Sequence, residues 1–400
     1  MKKIVCIAAA CTLPAGPAFG QAFRIPEQSI NSVALSNAYV AHTSGADTSY
    51  YNPARMAWLD DKWQSEFSLT YIHLPSITYT DNTVASRNSG SRNENFLLPN
   101  LHVVSPAYDK FRFGLSVVYP FGLSKRWDAA FPRATAEEFT LKVYELNPSV
   151  SYRISDKLSV AAGARMLYSD GKVKSNNNGL ATRDLAGDST DYGYNLAISY
   201  LPIQGLSLAA TYRSKVNLNI EGDARLTLGP LSYSGYAEVM VPTPAVLTLA
   251  TAYTWNKTTF EFAYDKTYWS AYDKLDFNYA ANLNPGLAAF DAPLAKNWTN
   301  ADAFRFGVTH RCTREWTIMA GFAKDQNAVP DQTLGFELPD SDAKLYSFGA
   351  RYQPDDRLTV GAAYLYDDKE SRSVTNSSGI DGTFEGAAAH LVTTGMHYKF

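Results

Sequence analysis

From about residue 63 the chain alternates apolar positions with small or polar ones. Phe111-Arg112-Phe113-Gly114-Leu115-Ser116-Val117 does so, as does Leu158 to Met166. Tyr192, Tyr194, Leu196, Ile198 and Tyr200 share one face; Gly193, Asn195, Ala197 and Ser199 share the other. Phe304 to Val308 and Leu358 to Ala362 repeat the pattern. Strict period-two alternation predicts strands with unlike faces. The second face is rich in Gly, Ser and Thr, with scattered Arg and Asp. An apolar outer band over a small, polar inner face predicts a closed transmembrane barrel.

The connections sharpen this. Six are short, at Asp109-Lys110, Ser155 to Lys157, Ile203 to Gly205, Asn256-Lys257, Thr313 to Glu315 and Pro354 to Asp356. Seven are long and polar, near 81–95, 123–136, 170–188, 222–234, 267–300, 325–342 and 367–386. They alternate along the chain, so thirteen connections join fourteen antiparallel strands. The fold class is therefore all-β, a 14-stranded barrel with short turns on the periplasmic side and long loops outside. The last strand carries Val392, Thr394, Met396, Tyr398 and Phe400 on one face, and the chain ends on that aromatic. A terminal Phe400 on an alternating strand resembles the sorting signal read by the barrel-assembly machinery.

Two regions depart from the period. Phe139, Leu141 and Val143 share one phase while Tyr144, Leu146, Val150, Tyr152 and Ile154 share the other, which predicts a bulge or bent entry near Asn147-Pro148. Pro120 and Gly122 end the strand before it, so residues 105–148 carry the least regular pairing. The second departure is the chain's beginning. Residues 1–20 read as an export signal, with Lys2 and Lys3, an apolar core and the Ala18-Phe19-Gly20 cleavage site, or a cut after Ala22. Residues 21–62 are rich in small residues and weakly periodic, and the barrel occupies 63–400.

Composition narrows the chemistry. With 36 basic and 39 acidic residues the chain has no electrostatic footprint for nucleic acid. No apolar run reaches the ~18 residues of a membrane-spanning helix. Removal of the signal leaves only Cys312, a small wall residue, so no intrachain disulfide forms. The six His show no metal-ligand spacing, and neither a P-loop nor a nucleophile elbow occurs. No catalytic residue, metal or cofactor is implied. Arg24, Arg112, Arg133, Arg165, Arg305 and Arg351 read as solvated barrel charges, with a partner for an acidic head group as the sharper alternative.

Several stretches resemble the FadL family of outer-membrane transporters for long-chain fatty acids and other hydrophobic compounds. They are Ala22-Phe23, Ala34 to Tyr39, Asn52-Pro53-Ala54, Pro120 to Ser124, Leu146 to Arg153 and Thr211 to Ser214. The resemblance covers the whole mature chain. It implies that residues 21–62 form a hatch, or plug, inside the lumen. It implies ligand capture by outer loops, a tight apolar site that includes Phe23 with Arg24 beside it, and lateral exit at a kink in the third strand. Gly114, Pro120, Phe121 and Gly122 fall on that strand, and Asn52, Pro53 and Ala54 are expected to contact the kink. Long-chain fatty acids are the expected substrate and outer-membrane lipids the surroundings of a monomer. Monoaromatic hydrocarbons, or a general porin or adhesin on the same barrel, are the alternatives.

Overall fold

The structure is a computed structural model that describes residues 22–279 and 283–400; the signal-peptide reading of residues 1–20 lies outside the described residues. Fourteen antiparallel strands close into a barrel. They are β1 (Gln64–Leu74), β2 (Glu94–Val104), β3 (Phe111–Arg126), β4 (Glu138–Arg153), β5 (Leu158–Asn177) and β6 (Ala181–Tyr200). Next come β7 (Leu206–Arg213, resuming as Val216–Leu228) and β8 (Leu231–Thr243, resuming as Val246–Trp255). The last are β9 (Thr258–Thr267), β10 (Ala301–Arg311), β11 (Trp316–Asp325), β12 (Ala343–Tyr352), β13 (Leu358–Lys369) and β14 (Ala388–Lys399). Closure is made by β1, which pairs Gln64 with Lys399 of β14 on one side and with Val104 of β2 on the other.

The predicted faces are the observed ones. Tyr192, Tyr194, Leu196, Ile198 and Tyr200 point outward and are exposed, while Asn195, Ala197 and Ser199 are buried. The terminal Phe400 is exposed, and its N–H donates to the Trp63 carbonyl at 3.0 Å. Two of the seven long connections are instead strand. Residues 170–188 and 222–234 continue their hairpins to tight turns, the first at Asn178-Gly179, both with positive φ. An Asn-Gly pair in that conformation matches the twist of a two-stranded ribbon. The first hairpin's strands run 20 residues each, well past the ~9–11 a barrel strand needs to cross a membrane, so their polar tips read as loop by composition. Cys312 sits exposed in a short turn rather than in the wall.

The predicted slip in β4 is also resolved differently. Residues 141, 143, 145, 147, 149 and 151 all point inward without a break in phase. The β4–β5 register is likewise unshifted across Asn147-Pro148. What changes is the lumen: Leu141 and Val143 face an apolar cavity, Glu145 and Asn147 a polar one. The bulge lies on β3, where the register against β4 shifts between Val118 and Phe121.

Residues 22–58 lie inside the ring of strands. They form a short helix α1 (Ile30–Ala34), a turn of helix α2 (Thr48–Tyr51) and a 3-10 turn (Pro53–Trp58). Ser29 caps α1 through its hydroxyl, which accepts from the Ser32 N–H at 3.3 Å. The segment reaches all around the wall: Ser49 to Ser116 of β3, Asn52 to Ser199 of β6, Val40 to Glu261 of β9 and Ser36 to Ser347 of β12. The small inner face follows from this filling. A Cβ at Gly321 would stand 2.2 Å from the Leu35 carbonyl carbon.

Candidate ligand pathway

The N-terminal arm and the bulge on β3 are built from each other. The β2–β3 ladder holds only from Val104↔Gly114 to Leu101↔Val117. Above it β2 stays with β1 and β3 stays with β4, so the wall parts. The arm fills the place that β2 leaves: Arg24 bridges Phe121, the Ile25 N–H donates to the Pro120 carbonyl at 2.8 Å, and the Gly122 N–H donates to the Phe23 carbonyl at 2.9 Å. Pro120 has no N–H to give a ladder, which suits the bulge. Gln28 completes the joint. Its Nε2 donates to the carbonyls of Tyr119 (2.9 Å) and Ile25 (2.7 Å), and its Oε1 accepts from the Tyr119 N–H at 2.8 Å.

The opening is a window with a lintel. At its extracellular end Ser91 bridges Trp127, and the Arg92 N–H donates to the Arg126 carbonyl at 2.9 Å. Two arginine–carboxylate forks span the same edge, Arg126 with Glu94 and Arg92 with Asp128. Bidentate pairs of this kind fix geometry as well as adding attraction.

Two cavities lead to the window. The inner one, about 90 Å³, lies between Phe23, Phe139, Leu141, Leu185, Ile220, Phe277 and Trp298. Phe23 is its floor: ring centroids lie at 4.7 Å to Trp269, 5.8 Å to Trp298, 6.0 Å to Phe121 and 6.2 Å to Tyr272. Burial pushes the Tyr272 phenol up to about 12, so it stays a neutral donor. The cations that reach this space are engaged. Lys296 is paired with Glu337, and Lys172 lies 3.2 Å from Glu138. The outer cavity, about 470 Å³, is lined by Phe96 and Leu98 of β2, by Tyr119 and Phe121 of β3, and by Ile72, Leu345 and Leu391. Leu123, Leu141 and Leu338 line both cavities, so only side chains separate them.

The residues singled out in the sequence fall in three places. Phe23, Pro120, Phe121 and Gly122 meet at the joint just described. Arg24 leaves it: its guanidinium is 3.1 Å from Asp265 of β9, beside a separate small polar cavity. Asn52, Pro53 and Ala54 do not touch the bulge. Asn52 donates to the Val40 carbonyl (2.8 Å) and to Ser199 Oγ of β6 (3.2 Å), and Ala54 packs on Ala161 and Ala197 of β5 and β6. The turn they begin meets β3 lower down, at Gly114, where a Cβ would be 2.7 Å from Met56 Sδ. The physical reason is the direction of the arm, which occupies the bulge with residues 23–28 and leaves no room there for the later turn. Nor are the lumenal arginines solvated: Arg112, Arg165 and Arg305 are buried, and Arg305 bridges Asp265 and Asp325 at 3.1 Å each. Gln28 and Trp298 escaped sequence reasoning. The one available signal was the inverted phase of Phe139, Leu141 and Val143, which marks where the lumen turns apolar.

Comparison with known proteins agrees with this architecture. The family described as "Outer membrane protein transport protein (OMPP1/FadL/TodX)" matches residues 11–400. A long-chain fatty acid transport protein of Escherichia coli O6:H1 is 26% identical over 98% of both chains. Outer membrane protein P1 of Haemophilus influenzae is 24% identical, again over 98% of both. Among solved structures, a Pseudomonas aeruginosa FadL homologue superposes with a TM-score of 0.84 at 20% identity, covering 95% of this chain and 100% of that one. The Pseudomonas putida toluene transporter TodX gives 0.72 at 17%, covering 93% and 98%.

Proposed function

The chain belongs to the outer membrane protein transport family that includes FadL and TodX, and from that premise we propose that it carries hydrophobic molecules passively by lateral exit through the β2–β3 window. It is an outer-membrane β-barrel and a transport protein rather than an enzyme. The observation that carries the mechanism is a pair of cavities, parted only by side chains, that lead to an interrupted strand ladder. Each methylene returned from such a site to water costs ~0.8 kcal/mol, so ten of them cost about 8 kcal/mol. Release sideways into lipid avoids that step. Phe23 is the residue a ligand passes between the cavities. Long-chain fatty acids are the leading substrate class, supported by the aliphatic lining and by the relatives named for that transport. Outer-membrane lipids receive the product, and Phe400 is the contact for barrel assembly in a monomeric protein.

Uptake of labelled oleate by cells carrying or lacking the protein tests this. Phe23→Ala should lower uptake several-fold while leaving the barrel's resistance to unfolding unchanged. Equal uptake with and without the protein sinks the fatty-acid reading. A second reading, monoaromatic hydrocarbons, is favoured by the small inner cavity and its engaged cations; uptake of toluene in preference to oleate would establish it.

A further inference from the structure

The inner cavity leaves a question of charge. A fatty acid brings a carboxylate, and the cations nearest Phe23 already have partners: Arg24 has Asp265, Lys296 has Glu337 and Lys172 has Glu138. A carboxylate taken out of water needs an opposite charge of its own. The outer cavity supplies one. Lys125, next to the end of β3, is only 5% exposed, lines that cavity, and has no hydrogen-bond or ion-pair partner among the described residues.

Its charged neighbours do not occupy it. Glu94 gives both carboxylate oxygens to Arg126, at 2.8 and 2.5 Å. Lys369 lies 2.6 Å from Asp340. The cavity's remaining acids, the buried Glu27 and Asp325 and the half-buried Asp367, cluster where the arm meets β11 and β13. Lys142 of β4 also lines the cavity but is exposed, and Arg24 and Lys369 are paired with Asp265 and Asp340, so Lys125 is the buried cation there without a partner among the described residues.

We infer that Lys125 is the receptor for the carboxylate head group of a hydrophobic acid as it lies in the outer cavity beside the window. The inference rests on the transport reading above and adds a station to it. An anion is turned away from the acidic end and toward Lys125, directly beneath the Arg126–Glu94 fork at the extracellular edge. Its tail then lies along Phe96, Leu98 and Tyr119, the residues that edge the opening. The ligand is therefore oriented before it leaves, head at the membrane's outer surface and tail toward its interior. Lipids already in the leaflet are arranged the same way.

The test compares oleate with methyl oleate, which has the same chain and no charge, by titration of the detergent-solubilised protein followed through tryptophan fluorescence. Lys125→Met keeps the length and removes the charge; Lys125→Arg keeps the charge. Loss of one charge-assisted contact should weaken oleate binding about tenfold or more in Lys125→Met. Methyl oleate should bind the variant as it binds the unsubstituted protein, and Lys125→Arg should retain oleate. Oleate affinity within twofold of the unsubstituted protein overturns the inference and leaves the transport reading intact, as does an equal loss of both ligands. Binding of neither ligand by the unsubstituted protein overturns the fatty-acid reading and this site with it.

Discussion

One side chain completes the joint between the arm and β3, and replacing it gives a measurable consequence. Gln28→Met conserves length and volume but removes the amide. Three hydrogen bonds go: two donated by Nε2, to the Tyr119 and Ile25 carbonyls, and one accepted from the Tyr119 N–H. The register shift between Val118 and Phe121 leaves Tyr119 without a β4 partner, and β2 has already left on the other side. No strand is placed to take over the lost contacts. At about 1 kcal/mol net per bond the joint loses ~3 kcal/mol, and an orphaned amide adds to that. Every 1.4 kcal/mol is tenfold, so amide hydrogen exchange at Tyr119 should quicken roughly a hundredfold. Ile25 and Gly122, whose N–H groups bond across the same joint, should follow. Amides of the β5–β6 hairpin serve as the control. Tyr119 exchange within threefold of the unsubstituted protein would refute the claim that Gln28 holds the bulge.

Two further outcomes follow from the inner segment. Glu27 is buried beside Asp325, Asp367 and Arg305, and burial, the dominant cause, raises its carboxyl from 4.5 to about 7. A raised acid favours the folded state at low pH; the contribution is lost as pH climbs from about 4.5 through 7. The difference amounts to about 3 kcal/mol. Glu27→Gln should flatten that part of the stability–pH curve and stabilise the protein at pH 8, read from urea unfolding in detergent. An unchanged curve would exclude Glu27 as its source. At Gly321 a valine would drive its Cβ into the Leu35–Ser36 backbone, at 2.2 Å and 2.5 Å. Overpacking of this kind costs about 1–3 kcal/mol. The inner segment should shift away and become open to trypsin, and protease resistance equal to the unsubstituted protein would contradict the packing.

Much of the fold was legible because period-two alternation is a local property. Tyr192 to Tyr200 carries its own faces wherever the strand sits. The errors arose where a residue's surroundings decide its meaning. Residues 170–188 are polar because their hairpin projects beyond the membrane, and polarity alone cannot separate a projecting strand from a loop. Phe139, Leu141 and Val143 looked like a slipped register, yet the backbone keeps its phase and the lumen changes chemistry instead. The site was partly legible: the resemblance pointed to Phe23 and to Pro120–Gly122 separately, and the structure joins them through the Gly122 N–H and the Phe23 carbonyl. Gln28 lies in the arm and Trp269 and Trp298 at the two ends of the 267–300 connection, with no spacing rule to link them. Asn52-Pro53-Ala54 was a real turn given the wrong neighbour, since sequence order says nothing about which wall a lumenal turn faces.

The buried lumenal charges answer a different need from pore selectivity. A segment with only short helical turns leaves many backbone groups unpaired, and inside a barrel little water can reach them. The wall supplies partners. Glu261 Oε1 accepts from the N–H groups of Val40 and Ala41, both at 2.6 Å, and of His42 at 3.3 Å. Arg305 donates to the Ser36 carbonyl at 3.0 Å, and Arg112 to those of Leu59 and Asp60 at 2.6 and 2.9 Å. Buried ion pairs are weak evidence of net stability, but breaking one strands a charge and costs about 3–5 kcal/mol. Expelling the whole segment would remove Arg24 from Asp265 and every one of these caps at once. Passage through the window needs none of that. It asks only the arm at Phe23 and the side chains of Leu123, Leu141 and Leu338 to give way, which is the far smaller perturbation.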